Sequence, residues 1–357
     1  MIKFMHTSDL LLDQKITNNN FSLRERQKKR MELIERFRRL LKIAAEEKIQ
    51  YLFIAGNLFD NNYISYGNLL QLTTEFSRLK NTKIIISDGS ANLNNRNLIK
   101  SVRWPSNVYL QNEISEITKL TFDDGINIYL CGGVESEKLR ENLYNIDTRE
   151  DNISVLLSSC NVDNCCKEPF KLDSKLIRYK FDYCALGGSS EYLKIDTNIY
   201  YPGKIAQIDF EETNTKCGYI LGELTPNVKV DYIALNENRY VNTEISIDAD
   251  DSMLNIIDKI RKTSNSKEYV RIRLSGQMNS DISFDEIKNE AKQFFNYVEF
   301  DEKFKIKAKN SENEGKFMGN IIESYIDLFD KMDMNDVKNE KAFELGINLL
   351  KAEEVEN

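Results

Sequence analysis

Short apolar runs alternating with helical patterns dominate the start of the chain and constrain its fold more than any other feature. IKFMHTS (2–8), YLFIAG (51–56) and KIIIS (83–87) have the length and residue types of strands. Between the first two, Leu33, Ile34, Phe37, Leu40, Leu41 and Ala44 recur at helical spacing and predict a helix over about 23–48; Leu69, Leu70, Leu72, Phe76 and Leu79 mark a second. This β-α-β-α-β order predicts a parallel sheet with helices on its faces. Further strands are expected at 107–110, 127–131, 153–158, 182–187, 198–201 and 216–224, with little helix between the later ones. Such a succession suits a two-sheet α/β sandwich better than a regular doubly wound sheet. In open α/β sheets the loops past the strand C-termini build the site, so 8–14, 56–62, 87–92, 158–162 and 187–191 are where chemistry is expected.

From about residue 228 the pattern changes. VDYIAL and VNTEISI read as strands, DSMLNIIDKIRKT as a helix, EYVRIRLSG as a strand, ISFDEIKNEAKQFF as a helix and NYVEF as a short strand, a compact α+β unit. The expected organisation is a main domain over 1–225, a smaller α+β domain over 226–304, and a linker with C-terminal helices over 305–357. Phe317, Ile321, Ile322, Tyr325, Ile326, Leu328 and Phe329 exceed what a solitary solvated helix needs. Packing on the parent domain and docking on a partner both account for them.

With 41% hydrophobic and 30% charged residues, the chain is neither disordered nor fibrous. No apolar run reaches the ~18 residues of a membrane span, and the chain opens directly on a strand with no leader pattern, so a cytoplasmic location is expected. Six cysteines in a chain of this size are expected to be reduced thiols, and CNVDNCC (160–166) lacks the CxxC pair and nearby histidine of a metal site. A single histidine, His6, serves the whole chain, which matters because imidazole is the usual transition-metal ligand and the usual acid or base at neutral pH. Net charge is −8 and uneven, about −9 over 231–357 and about +1 over 1–230. Eight basic and three acidic residues lie between Arg24 and Arg39. That run is either a solvated helix face or a phosphate-binding surface, with Arg36, Arg38 and Arg39 as the candidate nucleic-acid contacts.

Taken in chain order, HTSDLLLD (6–13), AGNLFD (55–60), ISDGSA (86–91), LLSSCNV (156–162), DYCALGGSSEY (182–192) and YYPGKIAQIDFEE with KCGYILGEL (200–224) resemble the motif series of bacterial DNA repair exonucleases of the SbcD and YhaO type. These belong to the calcineurin-like metallophosphoesterases. The resemblance implies their two-sheet α/β sandwich over about 1–224, a capping domain after it, and C-terminal helices that grip a coiled-coil ATPase of the SbcC or YhaN type. It also implies double-stranded DNA as a ligand and a homodimer. The family's chemistry uses two Mn²⁺ or Mg²⁺ ions, held by a bridging carboxylate and several imidazoles, to polarise a phosphodiester and activate water.

Placed on that pattern, Asp9 stands at the first aspartate, but Leu11 replaces the following histidine and Asn57 replaces the bridging aspartate. Gly89 and Ser90 fall at the asparagine and catalytic histidine of the third motif, Ser158 at the next histidine, and Gly188 and Ser190 at both histidines of the fifth. Asp9 is the retained ligand type. Substitute oxygen ligands from Asp13, Asp60, Asp88 or Glu191 are the other way to keep a metal. The expectation is therefore a catalytically inactive homologue that binds no metal cofactor and acts as a DNA-binding or scaffold subunit. The alternative is an active Mn/Mg-dependent exonuclease or phosphoesterase with a remodelled site, and a stand-alone interaction module is a third reading.

Overall fold

The computed structural model describes residues 2–18, 20–59, 65–87, 102–111, 115–132, 136–148, 152–225, 228–237, 239–263, 266–307, 325–326, 328–329 and 337–353. It is a mixed α/β structure. In chain order the main part contains β1 (Ile2–Ser8), α1 (Leu23–Glu46), β2 (Tyr51–Ala55), α2 (Tyr66–Arg78), β3 (Lys83–Ser87), β4 (Val108–Leu110), β5 (Thr118–Phe122), β6 (Ile126–Gly132), α3 (Glu137–Asn145) and β7 (Ile153–Ser159). There follow β8 (Asn161–Val162), β9 (Lys171–Leu172), α4 (Ser174–Ile177), β10 (Tyr183–Gly187), β11 (Leu193–Asp196), β12 (Ile199–Tyr201), β13 (Gly218–Leu224) and β14 (Lys229–Ala234). Two six-stranded sheets result, in the orders β14-β13-β1-β2-β3-β4 and β11-β12-β10-β7-β6-β5.

Strand alternation explains why the apolar runs are uninterrupted. Phe4, Tyr51, Phe53, Ala55 and Ile85 pack inward against Ile128, Leu130, Val155, Leu157, Tyr183 and Ala185 of the second sheet. Their neighbours Met5, Leu52, Ile54, Ile84 and Ile86 face the other way, onto Leu33, Phe37, Leu40 and Leu41 of α1 and Leu69, Leu72 and Phe76 of α2. With both faces covered, every position of β2 is buried. Helix α1 starts where Ser22 accepts from the Glu25 backbone N–H and Glu25 returns a bond to the Ser22 N–H, a capping box.

The second unit consists of β15 (Tyr240–Ile247), α5 (Met253–Arg261), β16 (Tyr269–Asn279), α6 (Phe284–Ala291) and β17 (Tyr297–Lys307), its three strands parallel. Its core is separate, built on Ile247, Ile256, Ile260, Val270, Ile272, Leu274 and Ile287. The VDYIAL segment departs from the sequence reading: Lys229–Ala234 pairs with β13 as the edge of the first sheet. Strands β5 and β11 and helix α3 are likewise absent from that reading.

Of the C-terminal region, Tyr325, Ile326, Leu328 and Phe329 are helical and α7 spans Val337–Glu353. The Tyr325 ring stacks on Phe343 at 6.1 Å, Phe329 meets both rings, and the Tyr325 hydroxyl donates to Ala342 O at 2.8 Å. Phe317, Ile321 and Ile322 lie outside the described residues. No helix among the described residues is long and apolar enough to cross a membrane.

Candidate functional site

The C-terminal ends of β1, β2, β7 and β10 converge. In-register pairing sets Ser8 beside Ala55 and Ser159 beside Gly187. The two sheets touch at Gly187, where a Cβ would lie 2.5 Å from Ala55 O and 2.9 Å from Gly56 N. After β1 the chain takes left-handed conformations at Asp9, Leu11 and Asp13 (φ 44°, 44° and 61°), rare for residues with side chains. Backbone bonds from Asp9 N to Ala55 O, Leu11 N to Asn57 O and Leu12 N to Leu58 O, each 3.0 Å, hold this path along the β2 exit.

Asp9 sits at the centre. Its Oδ1 accepts from Asn57 N at 3.3 Å and its Oδ2 from Gly188 N at 2.6 Å, so one carboxylate ties the exit of one sheet to the exit of the other. Close packing around it raises its pKa, a push opposed by those two backbone donors. Gly56, at φ 82°, makes room for it: a Cβ there would fall 2.2 Å from Asp9 Oδ1.

The remaining predicted positions are placed as follows. Leu11 is half-buried, and Asn57 is half-buried with its Oδ1 shielded and without a hydrogen-bond partner among the described residues. Ser158 is fully buried and accepts from the Cys131 thiol at 3.8 Å. Gly188 has φ 109°; Ser190 is exposed on the surface. Gly89, Ser90, Asp60 and Asp88 lie outside the described residues. Asp13 faces away from the pocket chemistry: it is paired with Arg30 and accepts from Ser65 N at 3.1 Å and Asn68 Nδ2 at 2.7 Å, binding α1 to α2. Glu191 is exposed.

One residue of the pocket is not among the sequence candidates. Glu168, from the loop between β8 and β9, fills the space beside Gly188, where a Cβ would come within 2.1 Å of Glu168 Cγ. Burial and then the neighbouring Asp9 charge push its pKa up to about 7, while the Ser159 hydroxyl acts the other way. The only signal for it in the sequence is indirect: a glycine where the family pattern has a histidine leaves volume for something else.

The folded state thus keeps Glu168 protonated to about pH 7, whereas its ordinary value is 4.5. Between those limits the native state binds the extra proton, so stability falls as pH rises through the window and is flat above it. Glu168→Gln removes this dependence. With the shift discounted by half for solvent screening, the gain at pH 8 is about 1–2 kcal/mol, shrinking toward zero near pH 5. Urea midpoints at the two pH values check it; an equal gain at both would mean that the effect does not come from the Glu168 proton.

His6 lies in the core between the sheets, 0% exposed, with Nε2 at 3.2 Å from Leu186 O and Nδ1 at 3.0 Å from the Tyr183 hydroxyl. The carbonyl fixes the tautomer: Nε2–H donates to it, and Nδ1 accepts from Tyr183. Burial lowers its pKa to about 3, so the ring is neutral.

These residues test the fit to a pair of divalent ions. Among the described residues the pocket holds no imidazole, Asn57 carries a neutral amide where the resemblance would put the bridging carboxylate, and both oxygens of Asp9 already accept backbone hydrogen bonds. Among the described residues no three His, Cys, Asp or Glu side chains come together in a way that could hold a metal. The described residues of this set do not by themselves supply the ligands of a two-metal centre; Asp60 and Asp88 lie outside them.

The basic face of α1 is largely engaged within the molecule. Arg36 is 7% exposed, donating to Ile205 O at 2.8 Å and Glu237 O at 2.5 Å. Arg38 pairs with Glu35 and Glu75, and Arg39 with Glu237. Lys29 is buried against the stacked Tyr240 and Tyr269 rings, 4.6 and 4.3 Å from their centroids. Lys28 bonds Asn296, and the Tyr269 hydroxyl donates to Glu32 at 2.9 Å. Helix α1 thus joins Ile16, Phe21 and Phe210 in the contact with the second unit. No family model matches the chain, and no curated protein is significantly similar to it.

Proposed function

We propose that the chain is a calcineurin-like metallophosphoesterase fold of the SbcD and YhaO kind that has lost its two-metal reaction and works as a scaffold subunit beside a coiled-coil ATPase of the SbcC or YhaN type. The observation that carries this reading is the Asp9 carboxylate, whose two oxygens accept from Asn57 N and Gly188 N and so join the sheets. A group bonded in this way maintains the shape of the pocket. The calcineurin-like assignment is supported by the motif order together with two mixed sheets whose strand exits converge on those motifs. The aromatic contacts of Tyr325, Phe329 and Phe343 support a C-terminal element that presents Ile326, Leu328 and Leu345, each substantially exposed, to a partner.

Between the two binding roles, scaffolding is favoured over DNA binding through α1. Arg36 is buried and Arg38 and Arg39 are paired with glutamates, which leaves these three candidate contacts little free charge for phosphates. The observation favouring a remodelled active enzyme is the Asp9 and Glu168 carboxylate pair with the unpartnered Asn57 Oδ1 nearby. Elemental analysis of the full chain after equilibration with Mn²⁺, with a nuclease assay on linear duplex DNA, separates the readings. Substoichiometric manganese and no Mn²⁺-dependent cleavage are expected; tightly held stoichiometric manganese with cleavage would overturn the proposal.

A further inference from the structure

Five of the six cysteines gather on the outer face of the second sheet, in or against the core formed by Leu139, Leu156, Phe170 and Ile177. Three of them, Cys131, Cys160 and Cys184, are 0% exposed. Cys165 and Cys166 are half-exposed on the loop after β8. That loop is wound tightly. Asp163 and Asn164 are both left-handed (φ 52° and 61°), which turns the chain back so that Cys165 N reaches Val162 O at 3.1 Å. Asn161 then clamps Cys166 from both sides: its Nδ2 donates to Cys166 O at 2.5 Å, and its Oδ1 accepts from Cys166 N at 3.3 Å. The Cys166 thiol donates to Cys160 O at 3.4 Å, whereas Cys165 sits half-exposed at the turn. Two sequence-adjacent, half-exposed cysteines therefore share one tight loop that the Asn161 side chain holds in place.

We propose that Cys165 and Cys166 form a dithiol modification site that undergoes thiol–disulfide exchange with small disulfides, Cys165 attacking and Cys166 resolving. In the first step the Cys165 thiolate attacks one sulfur of RS–SR; a Cys165–SR bond forms, the RS–SR bond breaks, and RS⁻ leaves. In the second step the Cys166 sulfur, its proton passing to water or to the released thiolate, attacks Cys165 Sγ and expels the second RS⁻. The two cysteines give up two electrons and two protons, and the disulfide becomes two RSH. The Cys166 thiol is engaged by Cys160 O, and the adjacent pair holds the Cys165 thiol below its ordinary value while raising that of Cys166, which fits the division of roles. The competing thiols are poor nucleophiles: burial pushes Cys217 up to about 11 and Cys131 up to about 12, and raises Cys160 and Cys184 as well. Glu168, two residues beyond Cys166, rests against Gly188, so the modified loop is the one that fills the central pocket.

The test is incubation of the reduced full chain with excess glutathione disulfide at neutral pH, read by intact mass and by peptide mapping after alkylation. Wild type should lose two hydrogens, with the new bond mapped to Cys165 and Cys166 and the other four cysteines recovered as free thiols. Cys166→Ser should retain one glutathione on Cys165, and Cys165→Ser should react about tenfold more slowly. Glutathione persisting on wild type as it does on Cys166→Ser would overturn the proposal. So would modification directed to the other four cysteines, or no reaction under conditions where the urea-unfolded chain is fully modified.

Discussion

Gly187→Ala is expected to abolish stable folding, with a loss of more than about 4 kcal/mol, the range reserved for steric conflicts that a core cannot absorb. The added Cβ would stand 2.5 Å from Ala55 O, 2.6 Å from Ala55 C and 2.9 Å from Gly56 N. These are backbone atoms of the opposite sheet, and they are not free to retreat. Ala55 O accepts from Asp9 N at 3.0 Å, and Gly56 N donates to Ser87 O at 2.9 Å. The effect is one of space, because Gly187 is absent from the left-handed residues and alanine suits its backbone. Gly125→Ala provides the contrast. That glycine has φ 78°, but among the described residues its Cβ would meet only Asn152 Oδ1 at 3.5 Å, so a dihedral penalty of about 1 kcal/mol is expected. Urea unfolding of both variants, or the soluble yield where Gly187→Ala gives none, checks the pair. A Gly187→Ala protein within about 1 kcal/mol of wild type would mean that the sheets do not meet at this point.

How far the sequence discloses this arrangement depends on which physical signal each feature leaves. The layers are legible because burial on both faces writes itself as continuous apolar strands, as in Tyr51–Ala55, and because one buried stripe writes itself as Leu33, Phe37, Leu40, Leu41 and Ala44 on α1. Charge is less informative. Lys29 and Arg36 belong to that same stripe and are buried with it, Lys29 on aromatic faces and Arg36 on two carbonyls. A count of basic residues sees a polyanion surface where the helical period would have assigned two of them inward. The edge strand Lys229–Ala234 is misassigned for a related reason: its alternating, half-exposed pattern suits either sheet, and only pairing with Gly218–Leu224 decides. In the site, the motifs locate Asp9, Asn57 and Gly188 in sequence, and the strand exits bring these three together, whereas Ser158 points into the outer core beside Cys131. What they do not carry is Glu168, a long-range filling of empty volume, or the left-handed path through Asp9, Leu11 and Asp13, since none of these residues is a glycine.

The Asp9 substitutions turn the central question into a sign. Carboxylates that serve as metal ligands are held against their own desolvation, so removing one from a metal-free protein relieves that burden and leaves stability equal or higher. A carboxylate that joins two backbone segments has the opposite signature. Asp9→Ala is expected to destabilise by about 2–4 kcal/mol net of the burial burden that raises the Asp9 pKa, because the Gly188 and Asn57 N–H groups both lose their acceptor in a shielded position and are left unsatisfied. Alanine also tolerates φ 44° less well than aspartate. Asp9→Asn isolates the first contribution. Asparagine accepts the left-handed backbone and can still receive one of the two bonds, but its NH₂ group confronts the other donor, so a loss of about 1–2 kcal/mol is expected. Urea unfolding at neutral pH with a chelator present measures both. If either variant is more stable than wild type, Asp9 is a strained ligand and the scaffold reading fails; the graded order wild type, Asn, Ala follows only when the carboxylate holds the two sheets together.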